Sequence, residues 1–149
     1  MTKKLRAGIL AATGTVGQRF IQLLANHPWV EVSAVAASDN SAGKKYAQAT
    51  HWLLETPIPE SVAGLTVQSC NPGLDCDFVL SSLPSNVAEK VEEDFARSGV
   101  PVISNAGSHR MKADVPLLIP EINPDHLDAL SIQRGRLGGK GFIVTNPNC

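Results

Sequence analysis

The sequence has few cysteines and aromatic residues and almost no net charge. Its 149 residues contain three Cys, 5% aromatic residues, and 13 basic against 14 acidic side chains. The odd cysteine count, without a C-x-x-C pair, excludes a disulfide framework and a zinc site, so we predict reduced thiols and no bound metal. The balanced charge provides no basic surface for nucleic acid, which is therefore not an expected partner.

Long apolar runs are also missing. The apolar stretch over residues 7–12 is far shorter than the ~20 residues that cross a bilayer, so no membrane contact is expected. The basic start resembles that of a secretory signal, but the apolar run breaks at Thr13 and Gly14. We therefore expect a cytoplasmic chain that forms one domain over residues 1–149.

Short strands and helices alternate along the chain. Apolar patterns predict strands at residues 5–11, 30–37, 77–81, 100–103 and 142–145. Two helices are predicted, one with Val16, Phe20 and Leu24 on its apolar face and one with Val87, Val91 and Phe95. This order is typical of an α/β fold, a Rossmann-like, doubly wound and mostly parallel sheet.

Other regions have weaker patterns. Residues 42–77 contain several prolines and predict irregular structure with one short strand at 65–68. In the second helix, the acidic side chains are expected mostly on the solvated face; they are Glu89, Glu92, Glu93 and Asp94. Polar loops follow the strands, at residues 13–16, 38–41, 81–85, 104–110 and 146–149, and should converge on one crevice.

A glycine-rich turn lies between the first strand and the first helix. Gly8, Gly14 and Gly17 have the approximate spacing of a dinucleotide fingerprint, with Ala11 where a glycine usually makes the tight turn. Backbone N–H groups at such a helix N-terminus favour a phosphate. The alternative is a tight turn that binds no ligand.

The second strand ends in a polar segment suited to reading a ribose. Ser38 and Ser41 flank Asp39, and Lys44 and Lys45 follow. Hydroxyl and ammonium groups favour a 2′-phosphate and hence NADP, whereas Asp39 favours NAD. The alternative is a solvated loop, which is the better interpretation for each lysine taken alone.

Cys149, which follows Asn-Pro-Asn, is the candidate nucleophile. A thiol at the turn after a strand can be stabilised as a thiolate by backbone N–H groups. Cys70 and Cys76 are instead interpreted as small buried hydrophobes. Asn105 and Arg110 are suited to a carboxylate or a phosphate, and a dyad between His109 and Cys149 is a further hypothesis.

Together these segments resemble the aspartate-β-semialdehyde dehydrogenases of the archaeal and fungal type. The motifs are A-A-T-G-T-V-G at 11–17, S-x-x-S-A-G-K at 38–44, S-N-A at 104–106, D-V-P-L-L-I-P-E-I-N at 114–123 and T-N-P-N-C at 145–149. The resemblance spans the chain but only the cofactor-binding half of the family, whose second, dimerisation and catalytic domain lies outside it.

The resemblance implies NADP-dependent reductive dephosphorylation of β-aspartyl phosphate, in lysine, threonine and methionine biosynthesis. It implies that Cys149 forms a thioester and that Asn105 and Arg110 bind the phosphoryl group. It also implies that residues of the turns hold the cofactor: Thr13, Gly14, Thr15 and Val16 at the pyrophosphate, Ser38 and Ser41 at the 2′-phosphate, and Ser82, Leu83 and Pro84 at the nicotinamide. The full-length enzyme would be a homodimer or homotetramer, and the isolated chain inactive.

Two other functions stay open. One is another acyl-phosphate or acyl-thioester reductase on the same scaffold, such as N-acetyl-glutamyl-phosphate reductase or malonyl-CoA reductase. Asn148, immediately before Cys149, favours the aspartyl enzyme, since N-acetyl-glutamyl-phosphate reductases tend to have Gly there. The other is a non-catalytic nucleotide-binding module, in which Cys149 has no chemical role.

Overall fold

Six parallel strands form the centre of the structure, a computed structural model that describes residues 3–147. The strands are β1 (Leu5–Leu10), β2 (Val30–Ala37), β3 (Gln68–Ser69), β4 (Phe78–Ser81), β5 (Val102–Ser104) and β6 (Ile143–Thr145). Their order in the sheet is β3-β2-β1-β4-β5-β6. The predicted α/β, Rossmann-like class is confirmed.

Helices cover both faces of this sheet. They are α1 (Thr15–Leu24), α2 (Tyr46–Ala49), α3 (Glu60–Ala63), α4 (Ser85–Arg97), a 3-10 helix (Pro124–Ala129) and α5 (Leu130–Leu137). Consecutive residues of β1 enter different apolar clusters, Ile9 with Ile21 and Tyr46, and Leu10 with Phe95. Burial on both sides explains the nearly continuous apolar sequence of β1.

The strand order reverses between β1 and β4. The chain builds outward from β1 through β2 to β3, and then returns to place β4 on the other side of β1. At such a switch point the loops after the two central strands diverge and leave a crevice at their carboxyl ends. The loops after β1 and β4 therefore form the two sides of the candidate cofactor site.

The buried faces of the two long helices agree with the sequence prediction in part. On α1, Gly17, Gln18 and Ile21 are buried, while Val16 is exposed. On α4, Glu92 is fully buried rather than solvated, and Val87 is exposed. Phe95 is fully buried as predicted, and Phe20, Leu24 and Val91 pack against the apolar clusters, so only one residue of each predicted apolar face, Val16 or Val87, is exposed.

Element boundaries also required correction. β1 ends at Leu10 because Ala11 has a left-handed backbone, with a φ of 58°. Residues 42–77 contain α2 and α3, and the short strand lies at Gln68–Ser69. The helix α5 was not predicted, since its apolar residues follow no clear stripe and Ile132 is exposed.

Within residues 3–147, no helix combines the length and apolar character needed to cross a membrane.

Candidate functional site

The turn after β1 brings the backbone close to the start of α1. Ala11 takes the left-handed conformation that a glycine usually supplies, and the Gly14 N–H donates to its carbonyl at 3.0 Å. A Cβ on Gly17 would lie 2.8 Å from Cα of Ala12 and nearer still to the Ala11 carbonyl oxygen. The turn thus has the tight geometry of a dinucleotide fingerprint despite its missing glycine.

Two buried polar side chains support this turn from below. The Tyr46 hydroxyl donates to the Ala12 carbonyl at 2.7 Å, and Gln18 Nε2 donates to the Thr13 carbonyl at 2.9 Å. Burial raises the pKa of Tyr46 to about 12, so it remains a donor at neutral pH. Neither residue was predicted from the sequence to have this role. The sequence feature that could have indicated Gln18 is its position on α1 directly after Gly17.

We expect Gly17→Ala to lower the free energy of unfolding by about 1–3 kcal/mol, because the added methyl group must displace backbone atoms. Urea denaturation of the purified protein measures this change. Gly135→Ala in α5 is the matched control. Its Cβ meets no atom within 4 Å, and the better helix propensity should stabilise the protein by about 0.5–1 kcal/mol. Equal effects of the two variants would contradict the close-packing explanation.

A cleft of about 600 Å³ opens between the turn, the end of β2 and the start of α4. It brings together six of the predicted cofactor residues or their neighbours: Thr13, Gly14, Ser38, Asp39, Leu83 and Pro84. Other predicted residues lie beside it. Thr15 and Val16 begin α1, the Ser41 N–H donates to the Ser38 carbonyl at 2.9 Å, and Ser82 Oγ donates to the Leu10 carbonyl at 3.1 Å.

The end of the cleft that adjoins β2 contains one carboxylate, that of Asp39. Asp39 Oδ1 accepts a hydrogen bond from Ser69 Oγ at 2.9 Å. Lys44 Nζ donates instead to the Asn40 carbonyl and Lys45 Nζ to Thr66 Oγ1, which agrees with the solvated-loop interpretation of both lysines. Of the two serines predicted to bind a 2′-phosphate, Ser38 and Ser41, Ser38 is the one that lines the cleft.

Cys70 and Cys76 were both predicted to be buried hydrophobes, and both are half-buried and pack against the apolar cluster that contains Leu10. Cys70 also lines the cleft, next to Ser69. Burial raises the pKa of its thiol, as it does for the half-buried Cys76. Both thiols therefore have less thiolate at neutral pH than a solvated cysteine.

A second polar group lies at the carboxyl ends of β5 and β6. We call Asn105, Arg110 and Asn146 the loop cluster. Arg110 Nη2 donates to the Asn105 carbonyl at 2.7 Å, and Arg110 Nε donates to the Asn146 carbonyl at 3.0 Å. Asn146 Nδ2 donates to Asn105 Oδ1 at 2.8 Å. The structure thus brings the two predicted substrate residues together, with Asn146 as a third member.

His109 points away from the loop cluster into the interior. Its ring is fully buried, and Nε2 lies 3.4 Å from Glu92 Oε2. Burial lowers the pKa of His109 and raises that of Glu92, because desolvation disfavours the charged form of each group. The buried position of His109 does not favour the hypothesis of a dyad with Cys149.

Cys149 lies outside the described residues, and so does Asn148. The expectation that the Cys149 sulfur stands at the same crevice rim as Gly14 therefore stays a prediction. Among residues 3–147, no group of three or more His, Cys, Asp or Glu side chains is arranged to hold a metal ion.

The switch point, the tight turn before α1 and the adjoining cleft define a dinucleotide-binding domain of the Rossmann class. Comparison with known families narrows this class. Residues 6–130 match the family model "Semialdehyde dehydrogenase, NAD binding domain", and the chain belongs to this family. The resemblance predicted from the motifs is thereby confirmed at the level of the family.

Curated relatives and solved structures agree with this assignment. The chain is 50% identical to an aspartate-semialdehyde dehydrogenase of Methanothermobacter thermautotrophicus over 97% of its own length and 42% of the relative's. It is 47% identical to that of Archaeoglobus fulgidus, covering 95% of this chain and 42% of the relative. The chain thus spans well under half the length of these relatives.

Two crystal structures give the same picture. The Candida albicans aspartate semialdehyde dehydrogenase with NADP superposes with a TM-score of 0.85 at 43% identity, over 96% of this chain and 42% of that one. The Vibrio cholerae aspartate semialdehyde dehydrogenase II, complexed with ASA, has a TM-score of 0.72 at 27% identity, over 99% of this chain and 42% of that one.

Proposed function

We propose that residues 1–149 form the NADP-binding domain of an aspartate-β-semialdehyde dehydrogenase. The enzyme would reduce β-aspartyl phosphate to aspartate β-semialdehyde and release phosphate. The main support is the arrangement of the loop cluster, in which the guanidinium of Arg110 donates to the carbonyls of Asn105 and Asn146. Asn146 lies three positions before Cys149 in the sequence. Family membership and the NADP in the Candida albicans structure agree with this proposal.

The cleft fits the cofactor. Gly14 lines it without a side chain, so the backbone can approach a ligand closely there. Thr13, Gly14, Thr15 and Val16 would hold the pyrophosphate at the α1 N-terminus, Ser38 and Ser41 the 2′-phosphate, and Ser82, Leu83 and Pro84 the nicotinamide side. When bound, the reduced nicotinamide supplies a hydride.

The protein side chains perform the acyl transfer. The Cys149 thiolate would attack the carbonyl carbon of the acyl phosphate, and the carbon–oxygen bond to the phosphate would break to leave a thioester. Arg110 has five N–H donors, and its two bonds to carbonyls use two of them. The remaining donors, with Asn105, would bind the phosphoryl oxygens.

The test is an assay of the complete gene product that contains these residues, run in reverse with aspartate semialdehyde, phosphate and NADP. We expect phosphate-dependent reduction of NADP. Reaction only with N-acetyl-glutamate semialdehyde, or with malonate semialdehyde and coenzyme A, would replace the substrate. Residues 1–149 alone should be inactive, because the relatives are more than twice as long.

Brief iodoacetamide treatment separates the enzyme from a non-catalytic nucleotide-binding module. An activated Cys149 should be alkylated faster than Cys70 and Cys76, whose pKa values are raised by burial. Cys70 and Cys76 lie in one tryptic peptide, residues 46–90, so tandem mass spectrometry, which locates the label within a peptide, measures the three rates in one sample. Labelling of Cys149 no faster than the other two would favour the module.

We expect NADPH to bind more tightly than NADH, because the Ser38 hydroxyl lines the cleft and can donate to a 2′-phosphate. Ser38→Ala should weaken NADPH binding by about 1.5–3 kcal/mol, since the lost bond goes to a charged group, and leave NADH binding nearly unchanged. Calorimetry measures both affinities. Ser33→Ala is the matched control, since this hydroxyl donates to the Asp75 carbonyl away from the cleft. Equal affinities for the two nucleotides would indicate that Asp39 determines the preference.

A further inference from the structure

A buried carboxyl group joins the ends of two central strands. Glu92, on α4, is fully buried, and its Oε1 accepts hydrogen bonds from Ser81 Oγ at 2.6 Å and Ser104 Oγ at 2.7 Å. Ser81 is the last residue of β4 and Ser104 the last residue of β5. One oxygen atom therefore fixes the points at which two loops of the site leave the sheet.

Both serines also contact the loop cluster through the backbone. The Ser81 carbonyl accepts from the Asn105 N–H at 2.8 Å, and the Ser104 carbonyl accepts from the Asn146 N–H at 3.1 Å. Ser104 Oγ in addition accepts from the Ala106 N–H at 3.0 Å. Asn105 and Asn146 are the residues whose carbonyls hold Arg110. Two consecutive hydrogen bonds thus connect Glu92 to Asn105 through Ser81, and two connect it to Asn146 through Ser104.

The other oxygen of Glu92 faces the same loop. Oε2 lies 3.4 Å from His109 Nε2, and His109 immediately precedes Arg110. Neither this oxygen nor either ring nitrogen has a hydrogen-bond partner among the residues that the structure describes. A buried carboxyl group costs desolvation free energy that an apolar side chain of the same volume would avoid. Packing alone therefore does not explain a glutamate at this position.

We propose that Glu92 is a positioning residue for phosphate binding, which it affects by holding the loop cluster in register with the ends of β4 and β5. This inference rests on the proposed function. Glu92 is too deeply buried to touch substrate, so its effect reaches the substrate through Ser81, Ser104 and Arg110. Its loss should displace Asn105 and Arg110 and weaken phosphate binding more than cofactor binding.

The experiment compares three variants of the complete gene product in the reverse assay. Glu92→Leu removes both hydrogen bonds, and we expect the KM for phosphate to rise about tenfold while the KM for NADP changes less than about twofold. Glu92→Gln keeps an oxygen that can accept from both serines, so its KM for phosphate should stay within about threefold of wild type. Ser104→Ala retains the carboxyl group, tests the same link if Glu92→Leu does not fold, and should raise the KM for phosphate.

Ser98→Ala is the control, because this hydroxyl donates to the Phe95 carbonyl at the far end of α4. Its two KM values should equal those of wild type. An active wild type whose KM for phosphate is unchanged in Ser104→Ala and in any folded Glu92→Leu overturns this inference alone. Equal increases in both KM values overturn it as well. A wild type without phosphate-dependent NADP reduction overturns the proposed function and this inference together.

Discussion

Cys149→Ser should reduce turnover on the order of 10⁴-fold or more while leaving NADPH affinity within about twofold of wild type. A serine hydroxyl is almost entirely protonated at neutral pH, whereas a thiol stabilised by backbone N–H groups is a usable nucleophile. The proposed chemistry requires attack by Cys149 on the acyl carbon, so the substitution removes the acyl transfer itself. Steady-state assay with aspartate semialdehyde, phosphate and NADP measures turnover, and calorimetry measures the affinity.

The control for this variant is Cys76→Ser, which makes the same change of sulfur to oxygen outside the proposed site. Cys76 is half-buried beside β1 and does not line the cofactor cleft. Turnover by Cys76→Ser should equal that of wild type within about twofold. If Cys149→Ser retained a tenth of the wild-type rate, the covalent mechanism would be wrong.

The cleft between the turn after β1 and the end of β2 was largely predictable because it depends on local patterns. The apolar run before Thr13, the spacing of Gly14 and Gly17, and the polar end of β2 each follow from contacts within a few residues along the chain. Parallel strands place their carboxyl ends at one edge of the sheet, so the convergence of these loops followed from the fold class. The structure places Thr13, Gly14 and Ser38 around one cleft.

The supporting residues were not predictable, because their roles depend on distant partners. Glu92 has the same sequence context as its solvated neighbours, and its burial follows from Ser81 and Ser104, which lie 11 and 12 positions away. Gln18 likewise bonds to the His51 carbonyl, 33 positions away. Amphipathic patterns assign polar residues to the surface, and they fail where a buried polar group finds its partners through the tertiary fold.

The bounds of β3 were predicted inaccurately and α5 was not predicted, for a different reason. Both elements are short, at two and eight residues, and neither has a strong apolar period of its own. Gln133 on α5 instead bonds to both the N–H and the carbonyl of Ile143 in β6. Such side-chain bonds to an edge strand stabilise a helix by tertiary contacts that leave no periodic signal.

Arg110→Ala should raise the KM for phosphate by a factor that corresponds to about 1.5–3 kcal/mol, the usual contribution of a hydrogen bond to a charged group. Two effects add in the same direction. The variant removes a guanidinium that would bind the phosphoryl oxygens, and it also removes the bonds that hold the Asn105 and Asn146 carbonyls at 2.7 and 3.0 Å. Initial rates at varied phosphate concentration measure the KM.

Arg110→Lys separates these two effects. An ammonium restores the positive charge, but it lacks the planar fork that reaches two carbonyls and a ligand at once. We therefore expect Lys to recover only part of the lost phosphate affinity. Arg19→Ala, an exposed change on α1 where the side chain contacts Gln22, is the control and should leave the KM for phosphate unchanged. An unchanged KM in Arg110→Ala would limit Arg110 to a structural role in its loop. Neither its charge nor its bonds to the Asn105 and Asn146 carbonyls would then affect phosphate binding.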